Sequence, residues 1–299
     1  MSSYTDNSLE KCPFCLSINI QELNLVSNIE KIPAGLSRSN QASFNGILCK
    51  DCKSVTSSNF FDEELYVEGF YSKSKNYDRI IPGYDYTGPL VKEITEKCKN
   101  GKALDFGAGQ GAAAAHIKNL GINIDVLDPD EGYQEHLKNS FDTVLSDINE
   151  IKENYNCIYA IGVLEHLSDI PSIVSSLYEK LQKDGILVFQ YPNPSGFSAR
   201  FNLTKWDMLF ENGHNYIPSV KGLNTMLKRH NLEIEQHYSS SILSRGRVPF
   251  LASRIDKLEK FVQKAVSKSS FLRLIYNFMW HLQGLLGLGE TLVVIIKKN

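Results

Sequence analysis

Four of the cysteines in this chain stand as two short pairs, Cys12-Pro-Phe-Cys15 and Cys49-Lys-Asp-Cys52. A Cys-x-x-Cys knuckle presents two thiolates to one point, and two knuckles supply the four sulfurs of a closed, structural zinc site. The rival reading of such a pair is a redox dithiol. Two pairs flanking a polar segment favour metal, which also accounts for the folding of so weakly apolar a stretch: zinc binding contributes about 10–16 kcal/mol in finger peptides. The 33 residues between the knuckles exceed the usual spacing of about 15–20, which implies a looped-out insertion. Cys98 and Cys157 stand alone.

A second group of residues suits a small ligand. In Leu104-Asp-Phe-Gly-Ala-Gly-Gln-Gly111 the glycines permit a sharp turn and a close backbone approach. The helix that follows points its free N–H groups at whatever sits there. Gly107, Gly109 and Ala112 satisfy a loose G-x-G-x-x-A, so a nicotinamide dinucleotide is one candidate. Asp105, two residues before the first glycine, argues against a pyrophosphate and is compatible with the cationic sulfonium and amino groups of S-adenosylmethionine. Asp128 ends the next strand, where an acid accepts both ribose hydroxyls of an adenosine ligand. Asp147 follows the third strand, where adenine would lie. His166 and His214 are the two candidates for a general base, a role histidine fills near neutral pH. The plainer reading of His166 is a brace for its loop.

These residues need a scaffold that brings strand ends together. From Gly101 onward short apolar runs alternate with helical segments, the pattern of a parallel α/β sheet. Strands are predicted at 103–106, 122–127, 143–145, 157–161, 186–190, 232–238 and 292–296. Helices are predicted at 90–97, from the glycine turn to about 120, at 133–139, 169–181 and 220–230, with Gly121 and Asp169 as caps. Both histidines then fall on the carboxyl edge of the sheet, where ligands bind.

At this point the chain resembles a family, the class I S-adenosylmethionine-dependent methyltransferases. The resemblance is carried by the glycine turn, by Val126-Leu-Asp128, by Ile161-Gly-Val-Leu-Glu-His166 and by Leu181-Gln-Lys-Asp-Gly-Ile-Leu-Val188, across roughly 102–238. It implies that Gly107, Gly109 and Gly111 wrap the methionine moiety, that Asp128 holds the ribose and that Asp147 with Ile148 lies against adenine. Asp105, Ala108, Pro129 and Gly162 complete the expected cofactor-binding set. It also implies a Rossmann-like sheet of seven strands with the last inserted antiparallel. A subset of the family looks like this layout, with two Cys-x-x-Cys pairs, a tyrosine-rich stretch and then the glycine turn. Many of its members decorate sugars or surface polysaccharides. Glu165 with His166 is also similar to metal-dependent relatives that use Glu-x-x-Glu-His to hold a divalent ion against the acceptor's hydroxyls; here Gly162 replaces the first glutamate, which removes a ligand.

The expected organisation is a zinc-ribbon-like module over 1–60, a tyrosine-rich linker and leading helix over 61–100, a methyltransferase core over 101–246 plus 290–299, and a helical cover over 247–289. Tyr71 and Tyr77 are candidates to close over the cofactor, although tyrosines before an α/β core more often just pack. In the cover, Leu251, Ile255, Leu258, Val262 and Ala265 recur at helical spacing, and 271–288 is more apolar. This pair is expected to roof the substrate side of the core, the alternative being shallow attachment to a membrane. A formal net charge of −2 gives no reason to expect a nucleic-acid partner. The polar start and the lack of a long uncharged apolar stretch point to the cytoplasm. The expected activity is O-methylation of a small molecule or sugar, with RNA or protein methylation and a non-catalytic binding role as rivals.

Overall fold

The computed structural model describes residues 4–6, 9–26, 43–61, 89–203, 206–211, 213–240 and 256–299. Its N-terminal part holds β1 (Tyr4–Asp6), β2 (Ile20–Val26), β3 (Ser43–Cys49), β4 (Val55–Ser57) and β5 (Asn59–Phe61). There follow α1 (Pro89–Cys98), β6 (Lys102–Phe106), α2 (Ala112–Asn119), β7 (Asn123–Leu127), α3 (Glu131–Leu137), β8 (Val144–Leu145), β9 (Tyr155–Ile161), α4 (Ile170–Glu179) and β10 (Leu181–Pro192). The chain closes with α5 (Phe197–Phe201), β11 (Tyr216–Ile217), α6 (Val220–Lys228), β12 (Gln236–Ser240), α7 (Asp256–Lys268), α8 (Ser270–Leu285) and β13 (Thr291–Lys297). The tyrosines at 66, 71, 77, 84 and 86, the stretch 27–42 and the start of the helical cover at 247–255 lie outside the described residues.

The seven-stranded sheet runs β12-β13-β10-β9-β6-β7-β8. β6 to β10 are parallel, and β13 lies antiparallel between β10 and β12, as expected. The central strands are apolar on both faces because helices cover both sides, which leaves no face for water. Caps read from sequence hold: the Asp169 side chain accepts from Ser172 N at the start of α4, and Gly121 takes a left-handed φ of 86° just beyond α2.

Three strands differ from expectation. The strand predicted at 232–238 begins only at Gln236. Leu232 N returns to Leu227 O and Ile234 N donates to Asn224 Oδ1, so these amides close the end of α6 and are not offered to a ladder. β10 begins earlier than predicted, at Leu181, with its pairing to β9 interrupted between Leu181 and Ile186. Asp184, at φ 62°, turns inside that interruption. β8 shrinks to Val144 and Leu145.

The insertion between the knuckles is built partly of strand. β2 and β3 pair antiparallel from Ile20↔Cys49 to Val26↔Ser43, so they form the stem of a hairpin. β4 continues this sheet and pairs in turn with β11, giving the order β11-β4-β3-β2. A strand from beyond β10 therefore completes the sheet that carries the cysteines. Cys12, Phe14, Cys49 and Cys52 pack in the same apolar cluster as Leu223, Met226 and Leu227 of α6.

Candidate active site and cysteine cluster

The glycine turn leaves β6 at the carboxyl edge of the sheet. Gly107 N and Ala108 N both donate to Leu127 O, at 2.8 and 3.0 Å, which pins the turn against the end of β7. Gly107 has a φ of 76°, and a Cβ there would stand 2.4 Å from Val163, so only glycine fits. Gly109 is different: at φ 54° it faces open space, with nothing within 4 Å of where a Cβ would be. Its amide donates to Asp128 Oδ2 at 2.7 Å, and Asp128 Oδ1 accepts from Asp130 N at 2.9 Å. Asp128 thus ties the turn to β7 and keeps its remaining lone pairs for a ligand.

Asp105 is 2% exposed, and its Oδ2 is buried with no hydrogen-bond partner among the described residues. Burial pushes its pKa up to about 7; Tyr159, paired with it across β6 and β9, opposes the rise, and the charge of Asp128 adds to it. Burial likewise raises Asp128 to about 6. Two buried acids beside a glycine cradle fit a cationic, hydroxyl-bearing ligand such as S-adenosylmethionine, which relieves both their desolvation and their mutual repulsion. Because such a ligand favours the ionised carboxylates, its affinity is expected to fall as pH drops through 7 and then 6. Titration calorimetry from pH 5.5 to 8.5 checks this, and proton release on binding near pH 6.5 is the accompanying sign. A flat profile would show that neither acid meets the cofactor's charge or hydroxyls.

Asp147 is exposed at the end of β8, and its side chain caps the 3-10 turn Ile148–Glu150 by accepting from Asn149 N at 2.7 Å. Ile148 is half-buried beside it, and Pro129 stands half-buried after β7. Ala108 packs against the apolar cluster below, while Gly111 begins α2 at φ 75°. Gly162, at φ 69°, ends β9 and donates to Gln190 O at 2.8 Å. All of these lie along one edge of the sheet.

The histidines converge. His166 follows β9 in the 3-10 turn Leu164–His166, and His214 arrives from the segment before β11; their rings meet edge to face at 4.7 Å. His166 Nδ1 lies 2.9 Å from Gly213 O, and His214 Nδ1 lies 2.5 Å from Met208 O. With Nδ1 donating to a carbonyl, Nε2 is the basic nitrogen of each ring. His214 Nε2 stands 3.8 Å from Glu165 Oε1 and 3.9 Å from Glu211 Oε2. Ligand atoms of Glu165, His166 and His214 all lie within 4.8 Å of one another. Burial lowers His166 to about 3, reinforced by His214, so its imidazole is neutral at pH 7. Burial raises Glu165 to about 8, reinforced by Glu211.

Glu165 was expected only as half of the Glu-His pair of metal-dependent relatives and Glu211 not at all, because neither their burial nor their proximity to His214 is visible in the sequence. Tyr191 was missed altogether: its buried hydroxyl has no hydrogen-bond partner among the described residues, and burial followed by the charge of Glu165 raises its pKa. The sequence signal for Glu165 is its match, with His166, to the last two residues of Glu-x-x-Glu-His.

The four knuckle cysteines also converge, with all ligand sulfurs within 4.8 Å. The separations are 3.6 Å for Cys12–Cys52 and 3.5 Å for Cys15–Cys49. A disulfide needs about 2.05 Å, whereas a tetrahedron of bonds near 2.3 Å puts sulfurs about 3.8 Å apart. The spacing therefore fits a four-thiolate metal site. The hydrogen bond between Cys12 and Cys52 holds Cys12 well above the usual thiol range and draws Cys52 down to about 4.

This cluster is bonded to the histidine site. Ser57 N donates to Asn215 O and Asn215 N donates to Glu165 O, each at 2.9 Å. Ser219, the N-cap of α6, accepts from Gly222 N and donates to Cys52 O, while its own amide donates to Ser54 Oγ at 2.9 Å. Arg229 reaches back from α6 to Phe14 O at 2.7 Å and Pro13 O at 3.2 Å.

Residues 81–237, just over half of the chain, match a family model described as a methyltransferase domain. Among solved structures, an S-adenosylmethionine-dependent methyltransferase from Archaeoglobus fulgidus is 18% identical over 70% of this chain and 91% of that one, with a TM-score of 0.45. One from Mesorhizobium loti is 14% identical over 73% and 100%, with a TM-score of 0.46. Magnesium protoporphyrin IX methyltransferase from Synechocystis PCC 6803, solved with bound S-adenosylhomocysteine, is 12% identical over 73% and 84%, with a TM-score of 0.45. No curated protein matches the chain. The family match, on a sheet whose carboxyl edge carries the glycine turn and its acids, decides the matter: the chain belongs to the methyltransferase-domain family and is an S-adenosylmethionine-dependent, methyl-transferring enzyme.

Proposed function

We propose that the protein O-methylates a small molecule or sugar, such as a nucleotide-sugar, glycan or surface-polysaccharide precursor. The observation that carries this reading is the pair His166 and His214 at the edge beside the glycine turn, buttressed by Glu165 and Glu211. When bound, S-adenosylmethionine supplies an electrophilic methyl carbon. The work left to the chain is to orient an acceptor oxygen and dispose of its proton.

His166 is the half-buried member of the pair and His214 the buried one, so the acceptor hydroxyl is placed against His166. A neutral imidazole accepts a hydrogen bond from that hydroxyl and aims its lone pair. As the carbon–oxygen bond forms, the hydroxyl proton becomes far more acidic than an imidazolium, so even a weakly basic His166 takes it. The His214 ring, held between Glu165 and Glu211, keeps His166 in place and shares the charge. Asp105 and Asp128 bind and orient the cofactor, with Asp147 and Ile148 against its adenine. In the same reading the four cysteines hold a structural zinc, the enzyme works in the cytoplasm, where thiols stay reduced, and the near-neutral charge favours a small acceptor over RNA.

The test is incubation with methyl-labelled S-adenosylmethionine and fractionated extract, followed by mass spectrometry. Label in a nucleotide-sugar, glycan or lipid fraction supports the reading, and label confined to RNA or protein sinks it. With the acceptor in hand, His166→Ala and His214→Ala are each expected to lower kcat by ~10²–10³-fold while leaving cofactor affinity unchanged. An unchanged kcat in both variants would remove the histidines from the chemistry.

A further inference from the structure

Among the described residues, the outer face of α8 carries a run of exposed large apolar side chains. Its inner face, Trp280 and Gln283, is buried. On the opposite side Phe271, Leu274, Phe278, Leu282 and Leu285 recur at three- and four-residue spacing, all exposed. Phe271 is 69%, Phe278 62% and Leu285 72% exposed. A continuous apolar face of this kind marks a docking surface.

Charge distinguishes what docks there. No acid occurs between Glu259 and Glu290, whereas Lys264, Lys268 and Arg273 flank the face, in a chain whose net charge is −2. All three are exposed. A second copy would set like charges against one another with no acid in the patch to offset them. An anionic bilayer complements both the apolar face and its basic flank. α8 has 16 residues, and no helix among the described residues is long and apolar enough to cross a membrane.

We infer that α8 lies in the headgroup layer of an anionic membrane, and that the enzyme methylates an acceptor presented there. The second half follows from where α8 is anchored. Gln283 Nε2 donates to Leu288 O at 2.9 Å and to Glu290 Oε1 at 3.2 Å, and Glu290 Oε1 also accepts from Ser198 N and Oγ. Asn193 Nδ2, just past β10, donates to Gly289 O at 2.7 Å. The end of α8 is thus clamped to the chain that leaves the catalytic edge on its way to His214. A bilayer beneath α8 borders that edge, which suits an amphipathic, lipid-linked acceptor. Only this acceptor class rests on the proposed function; the membrane contact does not.

Flotation of the full chain with vesicles separates the possibilities. It is expected to float with phosphatidylcholine–phosphatidylglycerol vesicles at low salt and to bind phosphatidylcholine alone at least about tenfold more weakly. The double variant Phe271→Asp/Phe278→Asp is expected to lose flotation while keeping its Tm and cofactor affinity, since both side chains are solvent-facing. No flotation of the wild type overturns the inference, as does flotation that survives the double variant. A two-copy mass by light scattering that the variant returns to one copy, without vesicle binding, would assign the face to self-association. Flotation together with methyl label confined to water-soluble small molecules would overturn the lipid-linked acceptor and leave the contact standing.

Discussion

Replacing Asp128 by alanine is expected to weaken S-adenosylmethionine binding by ~10²–10³-fold, the scale of one or two charge-assisted hydrogen bonds at about 1.5–3 kcal/mol each. The loss has two parts. On the proposed role of Asp128 the variant removes the acceptor for the ribose hydroxyls, and it releases Gly109 N, which Asp128 Oδ2 holds at 2.7 Å. The glycine turn then loses the bond that fixes its open side. Asp128→Asn keeps a side-chain oxygen for one of the two backbone amides but gives up the charge, so its affinity should fall between wild type and alanine. Calorimetric titration with S-adenosylhomocysteine reads both variants without any knowledge of the acceptor. Affinity unchanged in Asp128→Ala would sink the assignment of the ribose site to this strand end.

The second large effect concerns the cysteine cluster. Cys49→Ser, or removal of metal by a strong chelator, is expected to lower Tm by about 10 °C or more. Zinc sites contribute about 10–16 kcal/mol in finger peptides, and for a protein of this size each kcal/mol moves Tm by roughly 2–4 °C. The damage should not stop at the knuckles. β4 pairs with β11, Ser57 N reaches Asn215 O, and Asn215 N reaches Glu165 O, so a loosened module releases the segment that carries His214. Hydrogen exchange should therefore rise at 213–217 and at 164–167 as well as at 43–57, while the glycine turn at 104–111 stays protected. Metal analysis comes first. A chain that holds no zinc and whose Tm ignores Cys49→Ser would end the four-thiolate reading, whereas zinc loss with unchanged exchange at 213–217 would end only the coupling.

That coupling shows where local pattern stops being informative. The glycine turn, Asp128 at the end of β7 and Asp169 at the start of α4 were legible in the sequence, because each depends on backbone conformation within a few residues. The alternation of apolar runs after Gly101 was equally legible, since burying both faces of a parallel sheet forces that composition. The knuckles were legible as paired thiols because two residues between cysteines set a local geometry.

What the sequence by itself determined, then, was the class of sheet, the strand ends that carry acids and glycines, and the two thiol pairs. The tertiary structure alone decided which distant groups share one place. Glu165 and His214 meet because β9 and the segment before β11 end at the same edge, 49 residues apart in the chain. The sequence puts Asp105 beside the glycine turn but does not show how deeply β9 and α2 bury it, and burial is the largest cause of its raised pKa. Leu232 and Ile234 look like strand until α6 claims their amides. The apolar periodicity of α8 signalled an amphipathic helix, but not which of its faces is covered. Spacing reports what the backbone does locally; desolvation and long-range contact depend on what the rest of the chain brings alongside.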